Sequence, residues 1–323
     1  METGFHVLFP NLHYKKRLRN EWQDNMDRTI IDFIKQSDHR IISPIWGGEK
    51  AFDFLCMGYL SVAQALGFEL HRVSDQLEIV KEGQLTTRKE LDELIHKRYV
   101  DDKYFQWEVD YLPVMRSWRH VPFCGGGCFG PLTAASCILG AENMLRMIVK
   151  DPEFVEDLVQ YITGFLIELA QREKESGQDL FWIAEPVASL LAPKRFWRFS
   201  GQYLKQIFEA AQAPGFLHVC GKTTKHTLLL EQTGAQVLSI DSCTDIGTCI
   251  REVGKDTIIM GNVAPNTLRY GTKEEVAAEV REILRACRGY RNFVMSTGCS
   301  LMEGTPEENM QVMFEITRQD KII

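Results

Sequence analysis

The sequence predicts an α/β fold, a (β/α)8 TIM barrel formed by a single domain over residues 1–323. Three observations predict this class. Short, continuously apolar segments recur along the chain, as in a parallel sheet that is covered by helices on both faces. Amphipathic segments of helical period lie between them. No GxGxxG turn follows the first strand, which disfavours the alternative of a doubly wound open sheet.

Eight segments are predicted as strands because each is short and rich in apolar residues. In chain order they are IISPI (41–45), GFELH (67–71), VPFCGG (121–126), DLFWIA (179–184), GFLHVC (215–220), QVLSID (236–241), TIIMGNV (257–263) and NFVMST (292–297). Amphipathic helices are predicted over residues 152–171, 193–211, 273–287 and 306–318. Capping boxes at residues 272–275 and 305–308 mark the starts of the last two helices.

Two regions lie outside this repeating pattern. Residues 1–40 are charged and aromatic with helical spacing, and they predict an N-terminal helical extension. Residues 73–118 predict an insertion after the second strand, with a hairpin in residues 76–90 and two charged helices. Neither region carries a second apolar core, so we expect one domain.

Composition excludes several classes of protein. The chain is 45% hydrophobic and 25% charged, which excludes a disordered or low-complexity protein. Its 37 basic and 44 acidic residues give a net charge of -7, so a nucleic-acid partner is not expected. We find no apolar run of membrane-spanning length and no signal peptide, and nine scattered cysteines favour reduced thiols. A cytoplasmic protein without a membrane partner is expected.

A histidine and two cysteines at strand ends suggest a metal site. His218 and Cys220 are two residues apart, so both lie on one face of the fifth predicted strand, and Cys299 follows the eighth. One imidazole and two thiolates would form a three-ligand zinc site with an open fourth position, as in catalytic zinc sites. The alternative is that these cysteines are small buried hydrophobic residues, which is common for free cysteine.

The chain resembles the uroporphyrinogen decarboxylase superfamily, and within it the methylcobamide:coenzyme M methyltransferases and their corrinoid-dependent relatives. The resemblance covers residues 120 to 318. Its motifs are HVCG (218–221), MGNV (260–263), GC (298–299) ahead of TPEEN (305–309), AEPVAS (184–189) and GPLT (130–133). In this family an HxC motif with a distant GC binds zinc, which supports His218, Cys220 and Cys299 as ligands.

Four further residues are predicted to belong to the site. Glu185 stands where relatives usually carry aspartate, and it is predicted as catalytic, binding metal, holding a ligating histidine or orienting substrate. Its alternative is a carboxylate that caps a helix. Trp46, Asp241 and Asn262 lie at the ends of predicted strands and are expected to bind substrate. For Asp241 and Asn262 the alternative is again helix capping.

The resemblance implies a zinc-dependent methyltransferase that moves a methyl group between a corrinoid (methylcobalamin) protein and a small acceptor or donor. A thiol is the favoured acceptor, because zinc keeps a bound thiol deprotonated and the thiolate is the nucleophile. Uroporphyrinogen decarboxylation is an alternative, although the first strand ends near Glu49, whereas a polyanionic porphyrinogen requires cationic residues. A non-catalytic zinc or corrinoid accessory protein is another.

Overall fold

The computed structural model describes residues 42–43, 50–54, 59–73, 78–97, 123–302 and 304–319. The predicted N-terminal extension, residues 98–118 of the predicted insertion and Trp46 lie outside this part of the chain. The prediction of a single domain stays a prediction.

The strands alternate with helices and most of them join one sheet. In chain order they are β1 (Ile42–Ser43), β2 (Lys50–Phe54), β3 (Leu70–Arg72), β4 (Glu78–Val80), β5 (Phe123–Phe129), β6 (Leu180–Ala184), β7 (Gly215–Val219), β8 (Val237–Ile240), β9 (Ile258–Val263) and β10 (Phe293–Thr297). The sheet has eight strands in the order β1-β2-β5-β6-β7-β8-β9-β10, and every pair except β1 with β2 is parallel. This is the predicted α/β barrel class, with β1 and β10 at the two ends of the hydrogen-bonded ladder among the described residues.

Six of the eight predicted strands form β5 to β10, but the first two predictions need correction. The segment GFELH contributes β3, which pairs antiparallel with β4 outside the main sheet. Residues 69 and 71 of this segment are exposed, whereas parallel barrel strands are buried on both faces. The second strand of the main sheet is instead β2, and β1 is a two-residue antiparallel strand beside it. The predicted hairpin in residues 76–90 is also wrong, because β4 pairs with β3 and a helix starts at Arg88.

The helices are α1 (Tyr59–Ala65), α2 (Arg88–Ile95), α3 (Pro131–Leu139), α4 (Ala141–Lys150), α5 (Pro152–Glu175), α6 (Pro193–Phe196), α7 (Gln202–Ala211), α8 (Thr227–Glu231), α9 (Ile246–Glu252), α10 (Pro265–Tyr270), α11 (Lys273–Ala286) and α12 (Glu307–Gln319). The four predicted helices are α5, α6 with α7, α11 and α12. A π-helical segment, Trp197–Gly201, joins α6 to α7. The predicted capping box starts α11, where Thr272 accepts from the Glu275 amide and the Glu275 side chain accepts from the Thr272 amide.

Among the described residues, no single helix combines the length and the apolar character needed to cross a membrane. The helices α3 and α4 taken together are long and apolar enough to span a membrane, by length and composition only, but the pair is bent by 104°. Most residues of α3 are buried in the core, as expected for a core helix.

The sheet is densely packed around a glycine-rich strand. All residues of β6, β7, β8 and β10 are buried, and Trp182 is the largest fully buried side chain. The run of three glycines in β5 brings the backbones of β5 and β6 close together. A Cβ at Gly127 would overlap the carbonyl of Trp182, which explains glycine at this position.

Candidate metal centre

His218 is held at the carboxyl end of β7 by the neighbouring strand. Its side chain is 1% exposed. Its Nδ1 lies 2.9 Å from Ser239 Oγ and 3.2 Å from the Ser239 carbonyl oxygen. A carbonyl only accepts, so this contact favours a proton on Nδ1 and places the lone pair on Nε2, the nitrogen that faces Cys220.

Both cysteines meet His218 at this end of the sheet. The Sγ atom of Cys220 lies 3.0 Å from His218 Nε2 and 3.8 Å from Cys299 Sγ. The three ligand atoms all lie within 4.8 Å of one another, and within the described chain no other group of three histidines, cysteines or acids does so. Both thiols are half-buried, so the centre is reachable from outside. The structure thus brings the three predicted metal ligands together.

The hydrogen bond between the two thiols makes them ionise unequally. It lowers the pKa of Cys299, which accepts the bond, and the adjacent His218 lowers it further. The same bond raises the pKa of Cys220, and burial adds to the rise. A second thiolate beside the first is therefore unfavourable in the apo protein, and a divalent cation would remove that penalty.

Asp241 lies directly after β8 and bonds to the turn that follows Cys220. Its Oδ2 accepts from the Gly221 amide at 2.9 Å and its Oδ1 from the Cys243 amide at 3.0 Å. Burial opposes ionisation of this carboxyl, but the backbone donors, the Cys243 side chain and the nearby His218 together outweigh burial and lower its pKa. Asp241 is therefore an anion whose oxygens are already bonded to backbone amides.

Asn262 is buried near the end of β9, and its side chain donates two hydrogen bonds to backbone carbonyls. Its Nδ2 donates to the carbonyl oxygens of Asp241 at 3.0 Å and Thr244 at 2.9 Å. The Asp241 carboxylate thus bonds to the turn after Cys220, and Asn262 bonds to the loop that contains Asp241. The substrate-binding role predicted for both stays a prediction, as does that of Trp46.

Glu185 lies between β6 and the helices that cover it, with a carboxylate that is fully buried. Its oxygens accept from the amides of Leu132 at 2.9 Å and Thr133 at 3.0 Å, in the first turn of α3. The Ser200 hydroxyl, in the π-helical segment, donates to it at 3.1 Å. Burial raises the pKa of Glu185 to about 6 against the opposing effect of these donors.

These bonds place the Glu185 carboxylate at the N-terminus of a helix, where the backbone dipole favours an anion. Glu185 is linked to His218 through the backbone, because the Glu185 amide donates to the His218 carbonyl at 2.8 Å. The catalytic role of Glu185 stays a prediction.

Sequence reasoning missed three residues at the centre. Ser239 orients His218, the Thr244 hydroxyl donates to the Gly221 carbonyl at 2.9 Å, and the Thr297 hydroxyl donates to the Cys299 carbonyl at 2.8 Å. Thr297 is the last residue of a predicted strand, so the strand-end rule could have found it, whereas Ser239 lies inside its predicted strand. The Trp182 ring also stacks on His218, with ring centroids 6.4 Å apart.

Comparisons with known proteins indicate the family to which the chain belongs. The chain is 29% identical over 199 residues to methylcobamide:CoM methyltransferase MtbA of Methanosarcina mazei, covering 60% of this chain and 57% of that protein. It is 29% identical over 178 residues to chloroplastic uroporphyrinogen decarboxylase 2 of Arabidopsis thaliana, covering 54% and 45%. The matched part thus spans about half the length of each relative. A solved structure, described as a methyltransferase from Methanosarcina mazei, has the same fold, with a TM-score of 0.71, 20% identity and coverage of 98% and 93%.

The relatives include both methyltransferases and decarboxylases, so they identify an enzyme family and leave the reaction open between two types. The family model for uroporphyrinogen decarboxylase matches residues 47–319, which is most of the chain. The chain therefore belongs to the uroporphyrinogen decarboxylase (URO-D) family.

Proposed function

We propose that the protein is a cytoplasmic, zinc-dependent methyltransferase that moves a methyl group from a corrinoid protein to a small thiol. The observation that carries this proposal is the meeting of His218, Cys220 and Cys299 within 4.8 Å. The methyltransferase relative supports a corrinoid partner, since its name states methylcobamide as substrate. The nine scattered cysteines fit a reducing compartment.

The donor set suits zinc better than magnesium or calcium, because imidazole nitrogen and thiolate sulfur are ligands that zinc prefers and harder cations do not. Three protein ligands leave one position for a substrate atom. Bound there, zinc would supply Lewis acidity that keeps an acceptor thiol deprotonated at neutral pH.

The chain's own residues prepare this position. Ser239 holds the imidazole of His218 with its Nε2 toward Cys220. The hydrogen bonds from Cys220 and His218 lower the pKa of Cys299, and this would reduce the proton release required on loading. The buried Trp182 ring is stacked on the His218 ring and adds to its support.

Decarboxylation of a porphyrinogen is the second candidate, favoured by the 29% identity to the plant decarboxylase. Decarboxylation does not explain why a histidine and two cysteines converge. A zinc-dependent methyltransferase needs such a ligand set, and we therefore prefer methyl transfer as the function.

The test measures bound zinc and follows the absorption spectrum of methylcobalamin with a panel of small thiols. We expect about one zinc per chain and demethylation in the wild type, with both lost in His218→Ala and in Cys299→Ala. Cys137→Ala is the matched control, because Cys137 lies in α3 outside the cluster. Equal demethylation by wild type and His218→Ala would contradict the proposal. Turnover of uroporphyrinogen without methyl transfer would favour the second candidate.

A further inference from the structure

The loop between β8 and α9 lies between the two segments that carry the cysteines. Residues 241–244 of this loop, here called the spacer turn, include Asp241, Ser242, Cys243 and Thr244. The Thr244 amide donates to the Asp241 carbonyl at 3.0 Å, which closes the turn.

On one side, the spacer turn bonds to both the amide and the carbonyl of Gly221, the residue after Cys220. The Gly221 amide donates to Asp241, and its carbonyl accepts from the Thr244 hydroxyl, each at 2.9 Å. Gly221 has φ +90°, which favours glycine, so the chain turns sharply at this point. The same hydroxyl also accepts from the Thr223 amide at 2.9 Å. Cys220 is thus fixed by bonds on its C-terminal side.

On the other side, the spacer turn is packed against Gly298, the residue before Cys299. A Cβ at Gly298 would overlap the backbone of Ser242, so the two segments are in direct backbone contact. The Gly298 amide also donates to the Val263 carbonyl at the end of β9, at 2.7 Å. Cys299 is therefore fixed against the same turn and the same strand.

Asn262 fastens the spacer turn to β9. Its amide group donates to the carbonyls of Asp241 and Thr244, the first and last residues of the turn. The side chain is 5% exposed, so these two bonds form away from solvent and are costly to leave unmade.

We infer that Asn262 is a positioning residue that, through the spacer turn, sets the separation of Cys220 and Cys299 before any metal binds. This inference rests on the proposed zinc site and assigns the geometry of that site to a residue that binds no metal itself. A centre formed in advance binds its ion more tightly, because less of the loop must be ordered on binding.

The chain offers a matched control for Asn262. Asn309 is also buried, and its Nδ2 also donates to two backbone carbonyls, those of Leu268 at 3.0 Å and Gly271 at 2.9 Å. It lies in α12 and bonds to residues outside the spacer turn. Asn262→Ala and Asn309→Ala therefore remove the same two kinds of bond, one beside the metal centre and one elsewhere.

The test measures zinc affinity by competition with a chromophoric chelator, and ligand geometry by the absorption of the Co²⁺-loaded protein. We expect Asn262→Ala to weaken zinc binding by about 10- to 100-fold, the usual effect of removing a residue that supports a ligand. The thiolate-to-cobalt band should weaken or shift as well. Asn309→Ala should lower the melting temperature but leave affinity and spectrum as in the wild type.

A second variant keeps the inference testable if Asn262→Ala fails to fold. Thr244→Val removes only the hydroxyl that joins Gly221 to Thr223, and it should also weaken zinc binding. Wild-type affinity in Asn262→Ala would overturn the inference while the zinc proposal stands, and so would an equal loss in Asn309→Ala. If Asn262→Ala does not fold, wild-type affinity in Thr244→Val would overturn it instead. A wild type that binds no zinc would overturn both.

Discussion

The Nδ1 atom of His218 lies 2.9 Å from the hydroxyl oxygen of Ser239, across two paired strands. This contact decides which imidazole nitrogen faces the two thiols. Metal-binding histidines generally have their second nitrogen held in this way, which fixes the tautomer and the ring orientation.

Ser239→Ala should weaken zinc binding by about tenfold, because Nδ1 of His218 loses the shorter of its two contacts to residue 239 and keeps the longer one to the backbone carbonyl. Chelator competition measures this loss. Ser136→Ala, which alters a buried serine in α3, is the control and should bind zinc as the wild type does. Unchanged affinity in Ser239→Ala would show that the carbonyl contact alone suffices.

Removing zinc should lower the stability of the protein. At free zinc a hundredfold above the dissociation constant, binding only the folded state stabilises it by about 2.7 kcal/mol. Denaturation with and without chelator measures this difference. In Cys299→Ala the chelator should have little effect, whereas Cys137→Ala should respond as the wild type. A chelator effect of equal size in Cys299→Ala would exclude that thiol as a ligand.

Glu185→Gln should remove a pH dependence of stability. Because burial raises the folded-state pKa of Glu185 from 4.5 to about 6, the folded protein binds a proton more tightly than the unfolded chain does. The stabilisation by this proton is fully present below pH 4.5 and is lost as the pH rises through 6.

The measurement is the free energy of unfolding of wild type and Glu185→Gln at several pH values from 4.5 to 7. The wild type should lose on the order of 1–2 kcal/mol relative to the variant across this range. Subtracting the free energy of unfolding of the variant from that of the wild type at each pH cancels the contributions of the other titrating groups. A difference that is independent of pH would mean that folding does not raise the pKa of Glu185.

Gly127→Ala should destabilise the barrel by about 1–3 kcal/mol, since the new methyl group would overlap the Trp182 carbonyl in a packed sheet. Gly254→Ala is the control, because Gly254 is exposed and the atom nearest to its Cβ would be a Glu231 side-chain oxygen at 3.3 Å. Urea denaturation compares the two. Equal stabilities would show that β5 can shift to accommodate the methyl group.

Sequence reasoning located β5 to β10 because a strand buried on both faces has a continuous apolar run. It missed β2, whose sequence KAFDF places charged residues at its first and fourth positions. It misplaced GFELH, although the alternation of polar and apolar residues there is typical of a strand with one exposed face. The continuous-run criterion therefore fails where a strand alternates.

At the site, the strand-end rule and the family resemblance together sufficed to select His218, Cys220 and Cys299. The contacts of Glu185 and Asn262 were beyond sequence reasoning for one physical reason. Glu185 bonds to amides 52 and 53 residues before it, and Asn262 to carbonyls 18 and 21 residues before it. Local spacing carries no information on such pairs, since only the packing of separate segments brings them together.

The stack of Trp182 on His218 gives the proposed zinc site a nearby fluorescent group. The emission of an indole depends on the ring beside it, and an imidazole that gains or loses an ion changes the surroundings of the indole. Loading of the site should therefore alter the intrinsic fluorescence of the unlabelled protein, and the signal assigned to this ring should vanish in Trp182→Phe. Metal titrations that would otherwise need a labelled or colorimetric probe could then be followed by the intrinsic fluorescence of the protein.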